Sequence, residues 1–352
     1  MRVVHFIWAL ERGGSENLLV DIANHQSQSH EVIVMVGNDA VDSAVASRLS
    51  PAVRLVVVGR PAGSRNPYWV VCLLLTIHRL RADVVHSHSH DLAFLGRLIA
   101  APKILTVHTV NIDLSRSWSS YRRICCISKA VLLDITKRLP ALRACQVDNG
   151  IVTSKVTTAS DRMQPAVLRG VQVSRLVHET KGQDLLIKAL ASLNAECSSP
   201  ALVIDFIGEG PSLGYLQRLV DELGVSKYCN FLGALGRDDV YARLCDYDLL
   251  IQPSRYEGFG LTVAEGMAAC IPVLVSDIEG PMEIIRNGEY GYHFASDDAA
   301  DLARSLVRVA EDIRSGIAKK KAIAARQFVL DIYSLSRTAD HYIDIYTEVV
   351  NA

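Results

Sequence analysis

The sequence predicts an α/β fold of two parallel sheets, each covered by helices on both faces. Three observations carry that expectation. The chain has 352 residues, enough for two domains with a sizeable core each. Short, continuously apolar runs alternate with helical patterns along its whole length. Strands buried on both faces read as such unbroken runs, and helical connections between them make the sheets parallel. A polar stretch over residues 153–165 then carries neither helix nor strand pattern, and the alternation restarts beyond it.

In the first half the strands are expected at residues 3–9, 31–36, 54–58, 83–88, 103–108, 123–128 and 145–148. Parallel sheets bind ligands beyond the carboxyl ends of their strands, so the loops there are where chemistry is sought. The first is L-E-R-G-G-S-E, residues 10–16, where Gly13 and Gly14 keep side chains away from whatever docks and Glu16 follows. Residues 67–81 predict a helix with the apolar body W-V-V-C-L-L-L, closed by Arg79 and Arg81. Without a full polar face it reads as a buried crossover helix rather than a membrane-surface one. The next strand runs into H-S-H-S-H, residues 86–90. His86 and His88 share a strand face and can share a metal, but no convergent Cys or carboxylate pattern joins them, so no metal is expected. Ser89 or Asp91 is the expected cap of the following helix. His108 ends the strand K-I-L-T-V-H, again at a carboxyl end.

The second half opens with V-L-R-G-V-Q-V-S-R-L, residues 167–176, then H-E-T-K-G-Q-D and an amphipathic helix. Arg175 and Lys181 therefore flank a strand exit and a helix start, where two cations can neutralise a diphosphate. The plain alternative is two exposed charges at a junction. I-G-E-G-P, residues 207–211, is a Gly-bracketed turn with Gly208 at its start, and F-L-G-A-L ends at Leu235.

The densest stretch is E-G-F-G-L-T-V-A-E, residues 257–265, between the strand-like D-Y-D-L-L-I-Q-P-S and the turn and strand of A-A-C-I-P-V-L-V-S-D. Gly258 and Gly260 permit positive φ or close approach of a ligand. Leu261, Val263, Ala264, Met267 and Ala268 are apolar at helical spacing. Glu257 thus sits on a loop, the first helix amides near Gly260, Leu261 and Thr262 point outward, and Glu265 lies over one turn along. A helix start binds phosphate through free N–H groups, and carboxylates accept hydroxyl hydrogen bonds from a sugar or ribose. The plain alternative is a strand–loop–helix turn with two solvated glutamates.

That string resembles the nucleotide-sugar motif of glycosyltransferase family 4, and the other motifs fall in the family's order. The resemblance implies the two-domain GT-B fold, with two Rossmann-like domains facing an interdomain cleft and a C-terminal helix crossing back to the N-terminal domain. It implies an acceptor-binding domain at residues 1–152, a nucleotide-sugar-binding domain at 153–325 and the crossing helix at 326–352. It puts Arg175 and Lys181 on the donor phosphates, Glu257 on the sugar, Glu265 on the ribose and His108 on the sugar or acceptor. Gly13 and Gly14 face the diphosphate, Leu235 lies near the base, and Gly208, Gly258, Phe259, Gly260, Leu261 and Thr262 complete the donor site. Ser174 stands where the family's G-R-L has Gly, and Val152 and Thr153 follow N-G-I where the family has Asp.

The reaction implied is retaining transfer from a nucleoside-diphosphate sugar, a UDP-sugar in expectation, with no cofactor and no metal. The implied acceptor is a glycan or lipid-linked oligosaccharide of surface polysaccharide, lipopolysaccharide or capsule assembly. Two rivals use the same residues: a non-catalytic nucleotide-sugar or glycan binder, and a nucleotide-sugar epimerase of this fold. A nicotinamide dehydrogenase is excluded because G-x-G-x-x-G is missing after the first strand.

Composition agrees with a globular, soluble protein, with 49% hydrophobic and 21% charged residues. The formal net charge of −1 hides an asymmetry: residues 1–152 carry 17 Lys and Arg against 11 Asp and Glu, a balance of +6, and the remainder 20 against 27, or −7. The basic half suits an anionic acceptor or an anionic membrane surface, unless its charges are merely scattered. No nucleic-acid partner is expected. Eight cysteines form no C-x-x-C pair and sit mostly in apolar runs, as in a reducing compartment. Residues 1–10 lack a signal-peptide pattern and no apolar run is long enough to span a bilayer, so the expected place is the cytoplasm, with peripheral contact at the inner membrane face.

Overall fold

The computed structural model describes residues 1–113, 116–159, 167–195 and 202–352. Backbone contacts divide the chain into two compact units, Met1–Gly150 with Ser334–Ala352, and Ile151–Tyr333.

The first unit holds seven strands: β1 (Arg2–Ile7), β2 (Glu31–Asn38), β3 (Val53–Arg60), β4 (Val84–Ser87), β5 (Lys103–Val107), β6 (Arg123–Cys126) and β7 (Ala144–Gln146). All pair in parallel, in the order β3-β2-β1-β4-β5-β6-β7. Strand order reverses between β1 and β4, which makes their carboxyl ends a topological switch point. There the register sets His5 of β1 opposite His86 of β4. The helices are α1 (Gly14–Gln26), α2 (Ser43–Ala46), α3 (Tyr68–Leu80) and α4 (Lys129–Arg138). The apolar runs of β1, β2 and β5 are buried almost throughout, as strands covered on both faces must be.

Two expectations for this unit need correction. The helix predicted over 67–81 is only half a crossover helix: Leu73, Ile77 and Leu80 are buried, while Tyr68, Val71 and Leu75 are exposed. Ser89 leads into a 3-10 helix, His90–Leu98, and makes no side-chain cap. The side chains of His90 and Asp91 lie outside the described residues.

The second unit repeats the plan with six parallel strands in the order β10-β9-β8-β11-β12-β13. They are β8 (Leu168–Val173), β9 (Leu202–Ile207), β10 (Cys229–Gly233), β11 (Leu249–Gln252), β12 (Val273–Ser276) and β13 (Tyr292–Phe294). Its helices are α5 (His178–Lys181), α6 (Gln183–Ala195), α7 (Leu213–Glu222), α8 (Arg237–Arg243), α9 (Leu261–Ala268), α10 (Glu279–Ile284), α11 (Ala299–Ser315) and α12 (Ile317–Ile332). The switch point lies between β8 and β11. Of the connection expected at 153–165, Thr153–Lys155 forms a 3-10 turn and residues 160–165 lie outside the described residues.

The C-terminal helical stretch is two helices, broken at Tyr333 and Ser334. The helix α12 and Tyr333 belong to the second unit, where Phe328 stacks on Tyr290 with ring centroids 4.6 Å apart. The last helix, α13 (Leu335–Asn351), belongs to the first unit. The segment that returns therefore begins at Ser334, not at residue 326. It seats on Gly150, where a Cβ would stand 2.6 Å from the Ser334 carbonyl oxygen, and Thr338 Oγ1 donates to the Asp148 carbonyl at 2.8 Å. No helix among the described residues is long and apolar enough to cross a membrane.

Candidate active site

In the second unit the switch point gathers most of the predicted residues. β8 exits through Ser174 and Arg175 into α5, and β11 exits through Pro253 into the Glu257–Gly260 loop and α9. The two exits are locked together. Arg255 clamps the Asp184 carboxylate with both Nη atoms, at 2.8 and 3.0 Å, and donates to the His178 carbonyl at 2.6 Å. Burial pushes the Asp184 carboxyl up, but its bonds to Arg255 and Lys188 outweigh that and hold it below the usual carboxylate range. Gly182, at φ +66°, closes α5, and a Cβ there would collide with the Pro253 carbonyl oxygen.

On this frame Lys181 Nζ donates to Glu257 Oε2 at 2.6 Å, with both side chains largely shielded. Arg175 is exposed and makes no ion pair among the described residues. Its carbonyl and the Ser174 hydroxyl both accept from the buried amide of Gln183, each at 3.0 Å. Gly208 packs against the same loop, where a Cβ would collide with the Ser174 carbonyl oxygen. Gly260 is left-handed, at φ +106°, and starts α9 without a side-chain cap, so the first amides of that helix, near Leu261 and Thr262, lack intrahelical partners. Gly258 is not in the left-handed region. Phe259 turns its ring into the core, edge-on to Tyr333 at 5.3 Å, and offers a ligand only its backbone. Leu235 is half-buried on the loop between β10 and α8.

Glu265 is buried and already engaged. Its Oε1 accepts from Arg237 Nη2 at 3.1 Å and from the Tyr241 hydroxyl at 3.2 Å. Arg237, Arg255 and Gln183 escape sequence reasoning. An Arg at a helix start beside Gly236 carries no local signal of a partner twenty-eight residues on. Together these groups offer two cations and an open helix start for an anion. The flanking carboxylates have oxygens left to accept hydroxyl hydrogen bonds.

The predicted residues of the first unit are His108, Gly13 and Gly14. Gly13 is extended, and its missing side chain lets the Glu16 carboxylate fold back into the place a Cβ would take. Gly14 opens α1. His108 follows β5, and burial lowers its pKa to about 4.

Beside it lies a buried network that the sequence showed only as H-S-H. Burial holds His5 down at about 4 and His86 and His88 well below the ordinary histidine range, so all three rings are neutral at pH 7. The proton positions follow from the partners. Gln26 Nε2 donates to the Ala339 carbonyl at 3.3 Å, which turns its Oε1 toward His5 Nε2, 2.9 Å away. A carbonyl oxygen only accepts, so His5 carries its proton on Nε2. His5 Nδ1 is then a bare acceptor, and His88 Nε2, at 3.1 Å, must donate to it. His88 is left with an unprotonated Nδ1, buried and without a partner among the described residues, next to the His108 ring at 5.8 Å. His86 bonds the Tyr346 hydroxyl and Thr106 Oγ1, each at 2.7 Å. Nitrogens of His5, His86 and His88 lie within 4.8 Å of one another, close enough to share an ion, but each ring already has protein partners.

Comparison with known proteins agrees with this geometry. Residues 12–155 match the family model described as Glycosyltransferase Family 4, and residues 169–325 the one described as Glycosyl transferases group 1. A glycogen synthase of Mycobacterium tuberculosis is 28% identical over 289 residues, 76% of this chain and 69% of the relative. A phosphatidyl-myo-inositol mannosyltransferase of Mycobacterium leprae is 25% identical over 294 residues, 77% and 74% of the two chains. Among solved structures, Anabaena HepE in complex with UDP and glucose superposes with a TM-score of 0.82 at 18% identity, covering 99% of this chain and 100% of that one. With the two models matched in series across both units, the chain belongs to glycosyltransferase family 4 and is a glycosyltransferase of the GT-B fold.

Proposed function

We propose that this glycosyltransferase takes its sugar from a nucleoside-diphosphate sugar, a UDP-sugar, and transfers it with retention to a glycan or lipid-linked glycan of surface-polysaccharide assembly. The second unit holds the donor and the first the acceptor, at the inner face of the cytoplasmic membrane. The observation that supports the reading is the β8/β11 exit, where Lys181 pairs with Glu257, Arg175 is exposed on the β8 exit loop, and α9 starts uncapped ahead of Glu265. Sugar transfer develops positive charge on the sugar and negative charge on the leaving diphosphate. Fixed cations and amides at the phosphate stabilise that charge, and losing one such contact typically costs about 3 kcal/mol in the barrier. Glu257 fixes a hydroxyl of the reacting sugar and releases Lys181 to the phosphate. Glu265 holds the ribose, with Arg237 fixing its carboxylate. His108 is neutral and orients the sugar or acceptor through a ring nitrogen. The charge is met by side chains and amides, so the reaction needs no metal and no cofactor.

Two relatives lend support in their names: HepE was solved with UDP and glucose, and the mannosyltransferase is named for phosphatidyl-myo-inositol. Residues 43–82 carry six arginines and no acidic residue, which favours an anionic surface near the first unit. The test is a mass-spectrometric screen of donor hydrolysis with UDP-, GDP- and ADP-sugars, with and without excess chelator. Hydrolysis of a UDP-sugar that persists in chelator, with an α-anomeric product by NMR, is expected. Turnover only of GDP- or ADP-sugars removes the UDP assignment, and full loss on chelation restored by Mg²⁺ removes the metal-independent one. An epimerised donor with no hydrolysis favours the epimerase, and binding without any turnover favours the non-catalytic binder.

A further inference from the structure

The first unit carries a cavity that none of the residues above explains. Its volume is about 240 Å³, and Trp8, Trp69, Phe94, Leu73, Arg60 and Arg65 line it. It opens at the carboxyl edge of the sheet, where β1 ends before Trp8 and β3 ends at Arg60. The walls are aromatic. Trp8 lies edge-on to Phe6 at 5.1 Å, and the Arg60 guanidinium sits 5.3 Å above its ring. The indole Nε1 of Trp8 is buried without a hydrogen-bond partner among the described residues, a donor lacking an acceptor. Arg60 bonds neutral oxygens, Asn38 Oδ1 at 2.8 Å and the Ser64 carbonyl. Arg65 is exposed and makes no ion pair among the described residues. Asp39 is exposed and donates its backbone N–H to the Arg60 carbonyl at 3.0 Å, and Asp42 is the acid nearest before Arg60 in sequence. The cavity is thus apolar within and cationic at its mouth.

Its surroundings have the same character. The helix α3 and the 3-10 helix His90–Leu98 send Leu73, Ile77 and Leu80, and Leu92 and Leu95, into one core cluster. They therefore lie in one layer over the sheet, and that layer leaves Tyr68 at 61%, Val71 at 53%, Leu75 at 49%, Phe94 at 57% and Leu98 at 67% exposed. Exposed apolar side chains grouped in this way mark a binding surface. Aromatic walls and an apolar surround suit a hydrocarbon chain, and two arginines without acidic partners suit a phosphate.

We infer that this cavity binds the phosphate and first chain segment of a phosphate-bearing lipid. The inference deepens the lipid-linked acceptor named above and rests on that reading for its role, but its test contains no sugar donor and reads binding alone. The chain has three tryptophans, of which Trp8 and Trp69 line the cavity and Trp118 is 1% exposed in the core. Intrinsic fluorescence of the full chain is titrated with farnesyl diphosphate below its micelle concentration, with farnesol and with inorganic pyrophosphate. Farnesyl diphosphate should shift the emission saturably, and farnesol and pyrophosphate should each bind at least about tenfold more weakly. Arg65→Gln, at an exposed position that folding does not use, should weaken farnesyl diphosphate by about tenfold with an unchanged melting temperature. Trp69→Phe should keep the binding while reducing the signal. Competition by phosphatidylglycerol vesicles would identify the phosphate as a membrane headgroup, and resistance to them as the acceptor's own; either keeps the cavity as a lipid-phosphate site. No saturable shift, equal affinity for farnesol, or wild-type binding by Arg65→Gln would overturn the inference, whether or not the chain transfers sugar.

Discussion

Two glutamates at the same helix start stand in different surroundings, and the difference predicts different kinetics. Glu257 faces Lys181 at the loop, while Glu265 is buried against Arg237 and Tyr241. Glu257→Gln should lower kcat by about a hundredfold with a smaller change in donor affinity, since its contact tightens as charge develops. Glu265→Gln should raise donor KM more than it lowers kcat, as expected of a contact made equally before and during reaction. Calorimetric donor titration beside steady-state rates separates them, and unchanged rates and affinity in both variants would reduce the stretch to a turn and a helix. The histidines make a second prediction at this scale. In the unfolded chain they protonate near pH 6.5, whereas burial holds His5 and His108 at about 4 when folded. The unfolded state therefore binds more protons between those values. The stability these groups contribute is full above pH 6.5 and is lost as pH falls toward 4, by about 3 kcal/mol for the fully buried His5 and by less for His108, which is only half-buried. Urea midpoints from pH 7 to 4.5 should fall accordingly. Asp42, Asp184 and Asp301 are held below the usual carboxylate range, so their protonation adds its own loss only at lower pH. A flat profile from pH 7 to 4.5 would contradict neutral burial of the cluster.

At the scale of elements, the site depends on how closely two strand exits approach. The short helix α5 ends at Gly182, whose φ of +66° and contact with Pro253 exclude any side chain. Gly182→Ala should push the β11 exit away from α5, part Lys181 from Glu257, and lower kcat/KM by about tenfold or more, on the order of a misplaced catalytic contact. Kinetics beside circular dichroism checks this, and a folded variant with wild-type kcat/KM would show that the contact is not needed. The strands and this loop were legible because each is a local pattern: continuous apolar runs, glycines at turns, a helical apolar set after Gly260. The break between α12 and α13 was not. Residues 328–336 contain no Gly or Pro, and helical spacing continues across them. The chain turns there because Phe328 and Tyr333 are held in one core while Tyr342 and Tyr346 are held in another.

At the scale of the molecule, that division makes the last helix part of the first unit's core. Tyr342, Ile345, Tyr346 and Val349 pack with Val3, Ile22 and Val84, and the Tyr346 hydroxyl reaches His86. Deleting residues 334–352 would uncover this apolar face and leave His86 Nδ1 and the Gln26 amide without their partners. Calorimetry of the truncated chain should show the first unit lost or melting far lower, with the transition of the second unit retained. A single unchanged transition would mean that α13 is dispensable to the fold. Nothing in the periodicity of the last helix announced these partners; the expectation that it returns came from the family resemblance.

What the sequence determined by itself is whatever depends on neighbours a few residues away. It determined the alternation of strands and helices, the division into two α/β halves, the loops at strand ends, and the placing of Glu257 and Glu265 around a helix start. What the tertiary structure decided are the pairings between distant segments. Arg237 meets Glu265, Arg255 clamps Asp184, and Gln26 sets the tautomers of His5 and His88 from a carbonyl on the last helix. Those partners lie up to 313 residues apart, and no local period records them. Sheet order and register bring them together, because a buried polar group must find a partner wherever the topology places one.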